Sequence, residues 1–495
     1  MKKLFIIGLS MLMLIGLTAS AFAVTDITLS GEIEIRGEMN DNTRDVDNLT
    51  GDVGAWYDEN VRLRVDAKVT PNTSGVIELE TSQASPYAGT NVNSDVWGQG
   101  ASQATGGLAA GNTQTDNVGI REAYILHTGK GLLGIPSGLK IGRMSFKLGR
   151  GLFMDHSLFG DQGILLFAEP MKGMQIFFTT LKLGEGALAI GNSTAATPQS
   201  DDTDSYTLGF SNSVSGVNLS ADITYADAQD FTTAIANPTG DTSEGLHLWN
   251  FGLRGDAKVG IANLYGDVEI QYGKAEANFV HRTTGSREDR DYRGFAILLG
   301  GKVDVKAVRV NLEFAYGSGD ERDYSVANAN DGNATFDTGD KNEVFMTSLG
   351  ADQQHYTYVY EDRLPAATGA RSTGLANTMY LKLGAETDVN PDLTMGGSIY
   401  MLRAADDTNA MGAAGARQTC SGIAAGCLRT SKDLGWEFDG NLAYKLDTNL
   451  VYFVQAGYLF TGQAYDIDDT TVGTVGVNKE ADNAYVLRHG ISLMF

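Results

Sequence analysis

In residues 60–69, NVRLRVDAKV, the charged Arg62, Arg64, Asp66 and Lys68 alternate with Val61, Leu63, Val65, Ala67 and Val69. The same spacing occurs in 25–39, where Glu32, Glu34, Arg36 and Glu38 oppose Ile27, Leu29, Ile33 and Ile35. Glu78, Glu80, Arg121, Arg143 and Lys147 continue the set. Guanidiniums and carboxylates two residues apart do no covalent chemistry by themselves. Along a wet passage they focus a field and orient polar solutes. The bland alternative is cross-strand ion pairing that only satisfies a wet wall.

Other chemistry is thinly represented. Asp155-His156-Ser157 is a loop triplet, and adjacency alone does not make a nucleophile relay. The acidic runs DDTD (201–204), EDRD (288–291) and DIDD (466–469) match no spaced cation motif, so no metal is expected. Cys420 and Cys427 are the only cysteines. In an oxidising compartment they read as a disulfide closing a short external loop. Neither zinc ligation nor c-type haem attachment is provided for, and no cofactor is expected.

A strand is the element that sorts such residues, because its side chains alternate between two faces. Eighteen stretches between 25–39 and 482–495 show this period, and none keeps a 3.6-residue apolar stripe. Sixteen is the alternative count, since in 138–149 and 162–183 apolar residues fall on both faces. Connections alternate in length. TPNTSG (70–75), SNSVSG (211–216), DVKA (304–307) and LDTN (446–449) are short; 85–116, 184–202, 317–375 and 405–432 are long. With antiparallel neighbours, all short turns gather at one end and all long loops at the other. Membrane barrels have that asymmetry, and soluble sandwiches have no reason for it. A closed barrel in lipid also disposes of every apolar face without an edge strand. Within the longest loop, Tyr356, Tyr358 and Tyr360 suggest an ordered part that folds into the mouth and narrows the pore.

The N-terminus fits this setting. Lys2 and Lys3 precede an apolar run that ends at Ala21-Phe22-Ala23, the pattern of a cleaved secretory signal over 1–23. Residues 24–495 would then form one all-β domain, a transmembrane antiparallel barrel of about 18 strands. The formal net charge of -24 excludes nucleic acid as a partner.

The last strand, AYVLRHGISLMF, places Tyr485, Leu487, His489, Ile491, Leu493 and Phe495 at period two. It resembles the C-terminal assembly signal of bacterial outer-membrane barrels, with Phe495 as the signal residue. The whole mature chain resembles porins as a class. IREAYILHT (120–128) followed by LKIGRMSFKLGRGLFMD (139–155) resembles porins of the alginate-export and phosphate-selective type. That likeness implies that Arg121, Arg143, Lys147 and Arg150 line an anion pathway. Alternation adds Arg36, Arg62 and Arg64. The turn at 446–449 is too short for the alginate exporter's periplasmic plug, which argues against alginate as cargo.

The expected function is an outer-membrane porin passing small hydrophilic solutes, including anions, with no enzymatic step. Expected partners are outer-membrane lipid and lipopolysaccharide, the barrel assembly machinery and the solutes themselves. A homo-oligomer stays open. The runners-up are a barrel sheathing an electron-transfer cytochrome and a barrel enzyme.

Overall fold

The computed structural model describes residues 26–43, 46, 53–81, 118–131, 134–157, 160–184, 202–228, 245–280, 287–319, 341–342, 345–346, 356–364, 374–408, 431–468 and 478–495. The signal segment 1–23 and both cysteines lie outside these residues.

The period-two stretches are strands. In chain order they are β1 (Asp26–Asp41), β2 (Gly54–Thr70), β3 (Thr73–Thr81), β4 (Val118–Lys130), β5 (Pro136–Met144), β6 (Asp161–Met171) and β7 (Met174–Gly184). There follow β8 (Thr203–Val214), β9 (Val217–Ala228), β10 (Gly245–Val259), β11 (Ala262–Val280), β12 (Arg287–Tyr292), β13 (Phe295–Val305), β14 (Val308–Gly317) and β15 (Lys341–Asn342). The remainder are β16 (Thr378–Asn390), β17 (Leu393–Thr408), β18 (Ser431–Asp447), β19 (Leu450–Thr461), β20 (Ile467–Asp468), β21 (Asn478–Lys479) and β22 (Ala484–Met494).

Each long strand pairs antiparallel with its sequence neighbour. β12 and β13 form one interrupted stave against β11, and among the described residues β15 pairs only with β12. β20 and β21 make a separate small hairpin. That leaves eighteen staves. The ring closes where β22 pairs with β1, from Glu32 opposite Met494 to Asp41 opposite Tyr485. Phe495 extends the seam, exchanging backbone hydrogen bonds with Gly31 at 2.8 and 3.0 Å. A Cβ on Gly31 would lie 2.6 Å from the Phe495 ring, so this crossing needs glycine. Closure gives every stave two neighbours, which hydrocarbon requires because it offers backbone groups no partners.

Short turns do gather at the end holding Asp26. They are tighter than the sequence suggests: Ser215 and Gly216 alone join β8 to β9, with φ of 53° and 81°. Positive φ at both central residues matches the right-handed strand twist, and glycine reaches it without steric cost.

The two faces of the wall are inverted relative to a soluble protein. Leu63, Ile77, Ile125 and Leu253 are 38%, 50%, 57% and 60% exposed and point outward. The opposite face carries Arg62, Glu78, Glu122 and Arg254, all wholly or partly buried. Tyr225, Tyr272, Tyr316, Tyr458 and Phe460 lie outward near the long-loop end, as a membrane-interface girdle would. Tyr292 does not join them, because it is buried.

The interior of the long-loop half is apolar instead of wet. Leu181, Leu246, Leu248, Leu298, Leu402, Leu434 and Leu459 face inward there and are buried with Phe146, Leu152, Phe153, Phe345 and Val359 from connecting segments. Each such leucine contributes about 1.5–3 kcal/mol on burial. This explains the apolar residues on both faces of 162–183: one face meets lipid, the other meets chain folded into the lumen. It also corrects the strand expected over 138–149. β5 ends at Met144, and residues 145–157 leave the wall.

A charge on the outer face should be costly. Leu253→Arg, midway along β10, should weaken folding by about 2–4 kcal/mol, as read from denaturant titrations in lipid vesicles.

Candidate functional site

The site is the lumenal wall of β1–β4 together with the segments that fold toward it. Register sets the wall's chemistry. Arg62 lies opposite Glu32 on one side and Glu80 on the other. Its guanidinium is 3.5 Å from Glu32 and 2.6 Å from Glu80. Arg64 reaches Asp66 at 2.9 Å, Glu78 at 2.9 Å and Glu122 at 2.8 Å, and donates to the Tyr124 hydroxyl. Arg36 is held bidentately by Asp58. Arg121 binds Glu78 and lies 3.5 Å from Glu80.

Simple alternation cannot put both Arg121 and Glu122 inside. A β-bulge does so. Glu78 pairs with Glu122, then Leu79 pairs with Ile120, which leaves Arg121 as the extra residue. Bulges re-aim one side chain in this way.

Residues 145–157 form a hairpin that crosses the lumen like a strap. Leu148 N–H donates to Met154, and His156 N–H to Phe146, closing its two arms. Lys147 and Asp155 bridge the arms at 2.5 Å. Gly149 and Gly151, with φ of 53° and 84°, turn the tip. A side chain at Gly149 would collide with Arg254 and Asp267, so the tip lies against the β10–β11 wall. There Arg150 donates its backbone N–H to Asp267 at 2.9 Å and binds Asp256. Its guanidinium lies 3.9 Å from the centre of the Tyr265 ring, a cation–π contact. Beneath the tip, Arg254 is enclosed by Asp222, Asp267 and Glu269. At the strap's other end Arg121 donates to the carbonyl of Ser157. In this strap His156 pairs with Asp161 at 2.5 Å, while Ser157 donates to Asp155.

Residues 356–364 form a second inward segment, on the far side. Glu437, a wall carboxylate of β18, accepts the N–H groups of Val359 and Tyr360 at 2.6 and 2.8 Å. Asp439 accepts that of Tyr358 at 3.3 Å. Two consecutive amides on one carboxylate cap the turn that Arg363 N–H closes onto Val359. The turn delivers Asp362 to Arg488 and Arg363 to Glu38, so it is tied to β22 and β1. Burial is the largest influence on the Arg363 guanidinium and lowers its pKa; Asp362 and Glu38 oppose it. Phe345 and Met346 dock on another part of the wall: Phe345 N–H donates to Ser318, just after β14, and Gln271 of β11 is bonded to both the N–H and the carbonyl of Met346.

The expected residues therefore divide. Glu32, Glu34, Arg36, Arg62, Arg64, Glu78, Glu80 and Arg121 share the lumenal face of β1–β4. Lys147 faces the lumen from the strap, not from a strand. Arg143 is a correction. It pairs with Ala123 and Gln162, on the face that carries Ile125 and Ile141, and that face is the outward one. Alternation runs through Gly142 without a bulge and turns Arg143 away from the pathway. Asp222 and Arg363 escaped notice: one sits in a weakly charged strand, the other in a long loop without periodicity. Among the described residues, no group of three or more His, Cys, Asp or Glu is arranged to hold a metal.

No protein-family model matches the chain, and no curated protein does. Solved structures do. OpdQ of Pseudomonas aeruginosa has a TM-score of 0.50 at 13% identity, covering 95% of this chain and 98% of that one. The fold is that of an outer-membrane porin. OccK2 (OpdF) of the same organism, in complex with glucuronate, scores 0.49 at 10% identity over 95% and 98% of the two chains. OpdK with vanillate scores 0.48 at 11% identity over 94% and 98%. At these identities the likeness is one of fold.

The wall carboxylate is what holds the second segment inside. Glu437→Ala should strand two buried N–H groups at roughly 1–3 kcal/mol each. Faster trypsin cleavage after Arg363 in the folded protein is the expected result; an unchanged rate would count against the anchor.

Proposed function

We propose that this protein is an outer-membrane channel through which small hydrophilic solutes move down their gradients. The observation that carries this reading is the charged wall of β1–β4, whose side chains keep part of their surface inside a ring of eighteen staves. Arg62, Arg64, Glu32 and Asp66 remain 24%, 29%, 29% and 40% exposed. A dry structural barrel has no use for such a wall. Passage needs no covalent step, only a polar lining, a constriction and a charge bias. The strap supplies the constriction, because it crosses from β5 toward β10 and β11.

The sheath reading fares less well. A cytochrome inside the barrel would compete with the strap and with residues 356–364 for the same lumen. The enzyme reading, as a serine–histidine relay, would need Ser157 on the His156 imidazole; Ser157 donates to Asp155, and the His156 Nδ1 is paired with Asp161. In the channel reading, residues 1–23 are removed on export and Phe495 is read by the assembly machinery. The apolar outer face takes lipid, with lipopolysaccharide at the long-loop rim, where Arg143 points outward.

Purified protein in planar bilayers should give stepwise conductance. Replacing residues 147–153 with two glycines should raise the single-channel value. Equal conductance would mean that the strap does not limit passage.

A further inference from the structure

The pathway's arginines are not open to anions. Five carboxylates, Glu32, Asp66, Glu78, Glu80 and Glu122, surround three guanidiniums, Arg62, Arg64 and Arg121. Glu34 adds another carboxylate on the same face of β1 and makes no ion pair among the described residues; the exposed Lys68 on β2 offsets one charge, which leaves six carboxylates against Arg62, Arg64, Arg121 and Lys68. The strap does not reverse the balance. Lys147 is matched by Asp155, and Arg150 by Asp256, whose side chain is half exposed. Arg150 also spends its face on Tyr265. Behind it, three carboxylates enclose the single guanidinium of Arg254. Lys140 rests on the Tyr124 ring, 3.9 Å from its centre.

From this we infer that the conduit between the β1–β4 wall and the strap prefers cations, and that its solutes carry ammonium or guanidinium groups. The inference rests on the channel reading and gives that channel a charge class. An anion approaching Arg62 must displace Glu32 or Glu80 and leave a carboxylate unpaired in a partly buried wall. A cation meets the partly exposed carboxylates of Asp66 and Asp256, each already shared with an arginine, and Glu34 beside them, and it leaves no buried charge unpaired when it joins them. Low-dielectric walls concentrate that field along the passage, which raises the local cation concentration.

The test is the reversal potential of the full chain in planar bilayers under a potassium chloride gradient. The expected sign is that of potassium permeation. Glu34→Gln and Asp256→Asn should each lower the cation-to-anion permeability ratio about fivefold, because one charge some 8 Å from a passing ion in water shifts the cation and the anion about twofold each, in opposite directions. Proteoliposomes should swell faster in glucosamine than in glucuronate. An anion-selective or null potential through open channels overturns the inference and leaves the channel reading standing. Folded protein, verified by heat-modifiable electrophoretic mobility, that gives no conductance overturns the channel reading and the inference with it.

Discussion

Every feature of this protein depends on one constraint: a peptide group in hydrocarbon has no partner except another peptide group. A sheet meets that demand only when it has no edge, so β22 must return to β1. Once the ring is closed, both faces of each strand are assigned. The outer one meets lipid and must be apolar. The inner one is free to be charged, wet or packed, and this chain uses all three.

The inner face changes character along the barrel. Toward the short turns it is polar, with ion pairs such as Arg309 to Glu386 and Asp388. Toward the long loops it is leucine-rich and covered by chain from the connections. Charged wall residues link the two zones. Glu437 caps the turn at 358–363, and Asp267 receives the strap's tip. Wall carboxylates thus have two tasks: some neutralise arginines, and others satisfy backbone that has entered the lumen. Both follow from the cost of an unpaired polar group away from water.

Much of this was legible in the sequence. Period two located the staves, and parity of loop length oriented them, because both are local properties of the chain. Register was not legible. The pairing of Arg64 with Glu122 joins residues 58 positions apart, and that of Arg121 with Glu78 depends on the bulge. The direction of Arg143 depended on continuous alternation through Gly142, where a bulge was equally consistent with the sequence. The apolar residues on both faces of 138–149 and 162–183 blurred the strand pattern. They were in fact the trace of the strap, since a wall that packs against inserted chain loses its polar alternation. The long loop's Tyr356, Tyr358 and Tyr360 did carry a signal of order, and Tyr356 and Tyr360 are buried inside the barrel.

The strap and the 356–364 turn also act on the ring as a mechanical object. A thin hoop resists stretching along its hydrogen bonds but ovalises easily under lateral pressure. Each inserted segment is a spoke anchored at both ends. One runs from β5 to the β10–β11 wall, and the other ties the β14–β16 region to β18, β22 and β1. Two such spokes brace the wall against that deformation. The space left inside then depends on the inserted segments as well as on strand number, so barrels of equal stave count need not share a bore.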